Sequence, residues 1–421
     1  LFRTYAGIES LVYPIIPFLL LLEIILGFVY KNSQTKVYKI NFLIYIFNRF
    51  LGRFIAIAMI SYIIGWLQPI APFQTSMTWY GLIYGYIVWE LGHFLYHYWG
   101  HKVRLFWCLH SIHHAPEDMN LMVNHAHFFL EGPYADIIRT TVCILLGVQP
   151  EMLLVIMFID GTWGAFIHVG ENLMKDGRLG FLNKIILTPS HHRVHHAINE
   201  EYLDKNLSQV FIFWDFIFGT FQKELDNVPP VYGISRPART RNPFKINFQH
   251  FWIMLKDAWR AEKFLDKITI WFRPTGWRPE GFDEKYPVNK IDDVYHFDKY
   301  KPKLSNALLY WSIAHLFVVM FFLLDLFARL GSLPANEILV YGIYIFITIY
   351  SLTDLMDQNR YNWVFELIRS IVFVAIGFWL GNWFGHDLIL FAVLFYQAVA
   401  FTISFMHRKG DEVNRVNMSY Q

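Results

Sequence analysis

Long apolar segments are the feature that most limits what this chain can fold into. A helix needs about 20 mostly apolar residues to cross the hydrocarbon core of a bilayer, and stretches of this kind recur along the sequence. The candidate spans lie at 8–30, 52–70, 78–97, 134–148, 151–168, 306–330, 337–353, 363–382 and 386–405. We therefore predict an all-α integral membrane protein with eight or nine membrane helices. The count depends on whether 134–168 forms a hairpin that crosses completely.

The composition agrees with this class and excludes several others. Of 421 residues, 55% are hydrophobic and 17% are charged, whereas soluble domains are about 45–50% apolar and about 25% charged. The net charge of +2 gives no sign of a nucleic-acid partner. The two cysteines, Cys108 and Cys143, cannot build a disulfide framework or ligate an iron–sulfur cluster by themselves. Redox chemistry in this chain must therefore use other ligands.

The charges between the spans predict the side on which each loop lies. Residues 31–53 carry five basic side chains and no acidic one, and the loop 68–77 is uncharged. The positive-inside rule places the first of these loops in the cytosol, and alternation of the spans then places 98–133, 169–305 and the C-terminal tail on the same side. We expect a multi-pass protein in the inner membrane of a bacterium or in the endoplasmic reticulum of a eukaryote.

The polarity of the chain also predicts how it is divided. The predicted parts are N-terminal membrane helices (1–77), a catalytic region (78–225), a cytosolic or interfacial cap (226–305), and C-terminal membrane helices with a tail (306–421). In the cap, apolar residues from Phe248 to Ile268 recur at near-helical spacing with basic residues between them. This pattern is typical of a helix in the lipid headgroup layer or of one packed on a cytosolic cap, and both interpretations stay open.

Histidine is concentrated in one region and is regularly spaced there. Thirteen of the 18 histidines lie within 93–196. His97–His101 has the spacing H-x3-H, and His110–His114 and His192–His196 both have the spacing H-x2-H-H. Positions i, i+3 and i+4 share one face of a helix, so we expect each of these boxes to direct its imidazoles the same way. His168 follows the second arm of the 134–168 hairpin.

These histidines predict a metal centre. Nine imidazoles are too many for one ion, but they suit two ions with four or five ligands each and an open coordination position. Imidazole binds iron, copper, zinc and nickel, and a structural site more often has four tight ligands that include thiolates. A centre of imidazoles alone, with two metals, therefore favours redox chemistry. The predicted ligands are His97, His101, His110, His113, His114, His168, His192, His195 and His196.

Metal-bound histidines need their second ring nitrogen held in place, often by a carboxylate. The candidates near the boxes are Glu90, Asp118, Asp160, His191 and Asp204. Glu90 and Asp160 precede His97 and His168 by about two helical turns and so share a face with them. For each carboxylate, the alternative is a solvated or helix-capping role.

At these boxes the chain resembles the fatty acid hydroxylase/sterol desaturase superfamily of membrane di-iron enzymes. The residues that carry the resemblance are His97–His101, His110–His114 and the run Thr188–His196. A further similarity is to the glyceryl-ether-cleaving branch of that superfamily. It rests on the stretches Glu117–Leu121, Leu203–Asn206, Trp214–Asp215, Gly219–Phe221 and Val231–Gly233.

The resemblance implies that the matched histidines hold two iron ions that activate O2. It also implies tetrahydrobiopterin as the reductant and a membrane ether lipid as the substrate. Hydroxylation of the carbon next to the ether oxygen would give a hemiacetal, which breaks down to a fatty aldehyde and a glycerol derivative. The apolar spans would hold the alkyl tail and exclude water, and the cap would meet the polar head and the soluble reductant.

Other functions stay open on the sequence alone. A sterol or fatty-acid hydroxylase or desaturase would use the same di-iron site, with electrons from an electron-transfer protein in place of reduced pterin. A metal transporter would need acidic or histidine side chains along a path through the spans, where few such groups occur. The metal itself stays open because imidazoles do not exclude zinc.

Overall fold

A computed structural model describes Ala56 and residues 59–408, apart from 122, 172, 241, 298, 301–303 and 330–331. The predicted span at 8–30 and the basic loop at 31–53, on which the predicted sidedness depends, lie outside the described residues. Within the described part the chain is helical, and extended residues pair only in isolated bridges. The all-α class is therefore confirmed for these residues.

The helices are numbered here in chain order. The first unit of the chain contains α1 (Met59–Ile70), α2 (Trp79–Lys102), α3 (Arg104–His114), α4 (Glu131–Leu145), α5 (Pro150–Ile167), α6 (Pro189–His196) and α7 (Phe213–Phe218). The helices that follow are α8 (Pro243–Arg260), α9 (Phe264–Thr269), α10 (Phe282–Lys285), α11 (Asn306–Arg329), α12 (Ala335–Met356), α13 (Asn362–Leu380) and α14 (Asp387–Met406).

Helices long and apolar enough to cross a membrane occur in both halves of the described chain. The five candidate spans are Pro150–Ile167, Asn306–Leu326, Asn336–Met356, Asn362–Leu380 and Asp387–Met406. They support a multi-pass membrane protein. The predicted total of eight or nine is not confirmed, because α4 has only 15 residues and the longer α2 carries a glutamate and three histidines. The total of eight or nine membrane helices stays a prediction.

The chain forms two compact units. The first consists of Leu1–Pro237 and Asn247–Asp298 and contains all the histidine boxes. The second consists of Ala238–Ile246 and Lys299–Gln421 and contains α11 to α14. The four predicted parts of the chain stay a prediction.

In the first unit, α2 lies directly against α4. A Cβ atom on Gly92 would lie 2.9 Å from the Cα of Arg139, so only a glycine allows this approach without a shift of the backbone. Arg139 stacks over the rings of Trp89 and Tyr96, at 4.6 and 5.2 Å from their centroids. This close packing orients the C-terminal half of α2, which carries the first histidine box.

The segment from α8 to α9 has one packed face and one exposed face. Met254 is buried in a cluster with Cys108 and Ile270, whereas Trp259 is 85% exposed and Phe264 is 75% exposed. The sequence left open a headgroup helix or a packed helix, and the two faces show features of both. One face packs inside the first unit, to which Met254 and Ile270 belong, and the other leaves large apolar side chains uncovered.

The second unit contains a buried ion pair. A guanidinium nitrogen of Arg369 lies 2.7 Å from a carboxylate oxygen of Glu366, one turn earlier on α13. Arg369 also donates to the hydroxyl of Thr348 at 2.8 Å, and Glu366 accepts a hydrogen bond from Ser351. Ionisable groups in a membrane span are costly unless they are paired in this way.

Candidate metal centre

The first two boxes meet because the chain reverses between α2 and α3. Val103 is extended, with φ −114° and ψ 124°, and α3 begins at the next residue. The reversal brings the Nε2 atoms of His97 and His110 to 3.0 Å of each other. One turn further along α3, Nε2 of His114 lies 3.1 Å from Nε2 of His110.

The third box is carried by α6, and its start is fixed by a capping box. The hydroxyl of Thr188 accepts the backbone N–H of His191, and the backbone N–H of Thr188 donates to Nδ1 of His191 at 3.3 Å. Pro189 occupies the first turn, where its missing N–H is no loss. His191 therefore helps to cap the start of the helix that carries the next three histidines, His192, His195 and His196.

The nine predicted imidazoles fall into two groups, and in each group the ligand nitrogens lie within 4.8 Å of one another. Group 1 consists of His97, His101, His110, His114 and His195, and group 2 of His113, His168, His192 and His196. All nine side chains are buried. The ring centroids of His114 and His196 are 4.4 Å apart, so the two groups are adjacent.

The sequence predicted that all the imidazoles of one box point the same way. The division into two groups shows that this prediction is wrong. In α3, His110 and His114 belong to group 1, whereas His113 belongs to group 2. In α6 the i and i+4 residues belong to group 2 and His195 belongs to group 1. Residues at i+3 and i+4 lie on opposite sides of position i around a helix with 3.6 residues per turn. Each H-x2-H-H box therefore contributes to both groups.

One loop, residues 204–207, accepts hydrogen bonds from three histidines of group 1, and we call it the anchor loop. Each contact involves Nδ1 of the ring, which leaves Nε2 directed into the group. The contacts are His101 to a carboxylate oxygen of Asp204 at 3.2 Å, His195 to the carbonyl of Lys205 at 3.0 Å, and His97 to the carbonyl of Leu207 at 2.7 Å. The expected anchoring role of Asp204 thus matches its position.

The anchor loop has an unusual backbone that is held from two sides. Asp204 and Asn206 have φ values of 56° and 54°, a region that asparagine and aspartate tolerate better than most residues. The amide of Asn206 donates to the carbonyls of His191 and Gln222. The buried carboxylate of Asp215 accepts the N–H groups of Leu207 and Ser208 and the hydroxyl of Thr220, at 2.7, 3.1 and 2.7 Å.

These anchors determine which ring nitrogen carries the proton. A carbonyl oxygen only accepts, so Nδ1 of His97 and of His195 donates and Nε2 keeps its lone pair. The same holds for His168, whose Nδ1 lies 2.5 Å from the carbonyl of Gly164. Burial and the neighbouring imidazoles lower the pKa of His195 well below its ordinary value, so this ring is neutral at pH 7.

The sequence reasoning missed Glu131, which is fully buried at the start of α4. Its two oxygens lie 2.5 Å from Nδ1 of His110 and 2.8 Å from Nδ1 of His127. The ring of His127 stacks on His113 with a centroid distance of 4.4 Å. One carboxylate therefore orients a histidine of group 1 directly and supports one of group 2 through His127. The sequence offered one signal for this role, because Glu131 follows His127 by four residues and such pairs are neighbours on a helix,.

The other predicted anchors lie elsewhere. Glu90 accepts the backbone N–H groups of Val210 and Phe211, each at 3.0 Å. Asp160 lies 3.6 Å from Arg139 and 3.9 Å from His93.

Neither carboxylate holds the histidine that shares its helix face, because backbone carbonyls take that place for His97 and His168. Asp118 lies half-buried after the second box.

The donor set fits metal ions. Nε2 of His97 and Nε2 of His110 face each other at 3.0 Å, and both carry lone pairs because their Nδ1 atoms donate elsewhere. Two lone pairs at this distance repel unless a cation lies between them. The Nε2 atoms of His101 and His195 are buried and have no hydrogen-bond partner among the described residues, which is costly without a ligand. Each group could hold one ion.

Comparison with known proteins gives a family match over the region that contains the three histidine boxes. Residues 82–220 match the fatty acid hydroxylase family. The alkylglycerol monooxygenase of Homo sapiens is 29% identical over 309 residues, which cover 72% of this chain and 66% of the human protein. That of Xenopus tropicalis is 28% identical over 310 residues, with the same coverage. That of Caenorhabditis elegans is 30% identical over 245 residues, or 55% of this chain and 46% of the worm protein.

The chain thus spans just under two thirds of the vertebrate proteins that it matches. No solved structure matches it. The resemblance read from the histidine boxes is confirmed: residues 82–220 match the fatty acid hydroxylase family, and the chain is similar to the vertebrate alkylglycerol monooxygenases over 72% of its length.

Proposed function

We propose that this protein is a membrane di-iron monooxygenase that hydroxylates the carbon next to the ether oxygen of alkylglycerol lipids. The observation that carries the proposal is the pair of adjacent groups of buried imidazoles inside a fatty acid hydroxylase domain. All nine grouped histidines are the proposed ligands, five for one ion and four for the other. Iron is proposed rather than zinc because zinc has no redox chemistry.

The proposed reaction balances with a two-electron reductant. One atom of O2 enters the C–H bond next to the ether oxygen, and the other leaves as water with two protons and two electrons. Tetrahydrobiopterin is the proposed electron donor, by similarity to the family. The hemiacetal then loses its hydroxyl proton as its bond to the ether oxygen breaks, and that oxygen gains a proton. The products are a fatty aldehyde and a glycerol derivative.

Iron, when bound, supplies the activation of O2, and the protein supplies position and environment. The anchor loop and Glu131 hold the Nδ1 protons outward, so that lone pairs face the ions. Burial of every grouped imidazole excludes bulk water from the oxidation,. We propose that the alkyl tail lies among the apolar helices, that the site faces the cytosol, and that residues 78–225 form the catalytic region.

The test is reconstitution of the purified full chain with ferrous iron without oxygen. Oxygen is then added with an alkylglycerol and reduced pterin, and in parallel with a sterol. We expect one fatty aldehyde for each O2 consumed, and none from His195→Ala, which removes a group 1 imidazole. A hydroxylated or desaturated sterol without aldehyde would contradict the proposal and favour the alternative enzyme. Oxygen-independent metal flux into vesicles would favour a transporter.

A further inference from the structure

A cavity of about 370 Å³ borders group 1 inside the first unit. Its lining includes imidazoles of group 1 and basic side chains. They are His101, His114 and His195 of group 1, and Arg104, Arg236 and Lys290. A molecule that filled this space would therefore contact both the proposed metal centre and a cationic surface.

Arg104 is already neutralised by the protein. Its guanidinium donates to the carbonyl of Trp277 at 2.7 Å and to the carboxylate of Asp257 at 2.6 Å. The other oxygen of Asp257 accepts from Arg278 at 2.7 Å. The guanidinium of Arg104 is therefore held by the protein's own acceptors. It lines the cavity, but its charge is already balanced by Asp257.

Arg236 and Lys290 are compensated less completely than Arg104. The Arg236 side chain is only 16% exposed, and its one hydrogen bond to a described residue goes to the carbonyl of Gly276 at 3.3 Å. Its nearest carboxylate, Asp283, lies 3.8 Å away and already accepts from Arg278 at 2.8 Å. Lys290 forms no ion pair with any described residue.

The remaining polar groups of the cavity do not supply the missing negative charge. Asp204 lines the wall, but its oxygens accept from Lys102 at 2.6 Å and His101 at 3.2 Å. His250 also lines it, and burial, followed by Arg236 and Arg104, lowers its pKa to about 3. His250 is therefore a neutral hydrogen-bonding group. The cavity has an excess of positive charge and unused donors.

We propose that this cavity binds a phosphate ester through Arg236 and Lys290, and so selects lipids with a phosphorylated polar end. A guanidinium with free N–H groups binds phosphate oxygens in pairs, and a lysine adds a point charge. A phosphate held by Arg236 and Lys290 would occupy the cavity that His101, His114 and His195 of group 1 also line. The selection of substrate rests on the proposed function, whereas binding of the anion does not.

The test measures binding without turnover. The full chain is loaded with zinc, which is redox-inactive, and equilibrium dialysis compares a short-chain alkylglycerol phosphate with the matching neutral alkylglycerol. We expect the phosphate ester to bind at least about tenfold more tightly, as a charge-assisted pair of hydrogen bonds predicts. Arg236→Gln should remove most of this advantage, and Lys290→Gln part of it. Arg178→Gln is the matched control, because Arg178 pairs with the exposed Asp226 at 2.6 Å and does not line the cavity.

Inorganic phosphate and glycerol phosphate serve as competitors and distinguish the two sources of the anion. If the alkylated ester binds much more tightly than either competitor, the lipid headgroup is the ligand. If free phosphate binds as tightly as the ester, substrate selection is overturned. Equal binding of neutral and phosphorylated lipids, unchanged in Arg236→Gln, overturns the anion site itself. Because Lys290 is exposed, its variant keeps the test valid if Arg236→Gln fails to fold. Absence of aldehyde in the turnover assay would contradict the proposed function and leave these binding results standing.

Discussion

At the scale of single residues, the histidines could be selected from the sequence, but most of the groups that orient them could not. Asp204 was expected beside a ligand histidine and lies 3.2 Å from His101. Glu131 was not expected, although it contacts His110 more closely than any other carboxylate contacts a grouped histidine. Its position 17 residues beyond the second box has no periodic relation to that box, so only folding of α4 against α3 brings the two together.

Removing the charge of Glu131 tests this role. In Glu131→Gln the side-chain amide replaces an acceptor that faces two imidazole N–H groups, so His110 loses its orientation. We expect metal at group 1 to bind roughly 10- to 100-fold more weakly, which is typical for partners of ligand histidines. Competition with a chelator measures this affinity. The control is Glu151→Gln, an exposed residue at the start of α5, and equal affinities in both variants would refute the role.

Asp257 leads to a prediction about pH. Burial alone would raise the pKa of Asp257, but hydrogen bonds from Arg278 and Arg104 outweigh it and hold the pKa below its ordinary value. A depressed folded-state pKa stabilises the fold above the ordinary value of about 3.9, and this contribution is lost as the pH falls towards the depressed value. The wild-type protein should therefore lose stability in acid partly through this group.

In Asp257→Asn, two buried guanidinium groups lose their carboxylate, which costs roughly 3–5 kcal/mol at pH 7. The variant should also show a smaller loss of stability between pH 5 and pH 3, because it lacks the titrating group. Denaturation of the purified protein at pH 7 and between pH 5 and pH 3 measures both effects. Asp292→Asn changes an exposed carboxylate and should match the wild type. A variant as stable as wild type at pH 7 would be inconsistent with the ion-pair network.

At the scale of elements, helical spacing predicted that the boxes lie on helices. It did not predict how the histidines of each box are divided between the two groups. The helices α2, α3 and α6 carry the three boxes. Spacing alone suggested one face per box, whereas the packing of three helices around two centres separates the i+3 histidine from the i and i+4 pair. The anchor loop has no periodic pattern, and its function depends on two left-handed residues and on the buried carboxylate of Asp215.

The anchor loop predicts a defect confined to one group. In Asp215→Asn, an amide N–H₂ replaces a carboxylate oxygen that accepts from backbone N–H groups of the loop, and the loop can no longer hold its shape. Since the three imidazoles that the loop anchors all belong to group 1, we expect metal content to fall from two ions to about one per chain, as loss of one of two sites requires. Elemental analysis of the purified protein measures the ratio.

The matched control for the loop is Asp226→Asn, because Asp226 is exposed and pairs with Arg178. A variant of Asp215 that keeps two ions, or one that loses both, would show that the loop does not support group 1 in particular.

At the scale of the whole molecule, the two groups predict how metal affects stability. Removal of the ions leaves buried nitrogen lone pairs 3.0 Å apart, so the metal-free protein should unfold at a lower temperature. Each ion adds about 2.7 kcal/mol of stability when its free concentration is 100 times its dissociation constant. Scanning calorimetry with and without chelator measures the shift, and an unchanged midpoint would argue against metal sites.

Variants of single histidines separate the two centres. His101→Ala should lower the metal content at group 1 only, and His196→Ala at group 2 only, so each variant should keep about one ion. His296→Ala is a control, because His296 is exposed and pairs only with Asp293 in the described part. If either grouped variant lost both ions, the two groups would act as a single site.

The sequence by itself determined that the described part of the chain is helical, that it has helices long and apolar enough to cross a membrane, and that a set of nine histidines stands out. Composition and spacing are properties of neighbouring residues, and hydrophobic length and helical period act over such short distances. Only the tertiary structure decided which histidines share a centre, which groups orient them, and where the cavity with basic side chains lies. These features depend on contacts between residues far apart in the chain, such as His97 with Leu207 and His101 with Asp204, separated by 110 and 103 positions. No local pattern encodes such a contact, because it forms only when helices and loops from distant parts of the chain fold against one another.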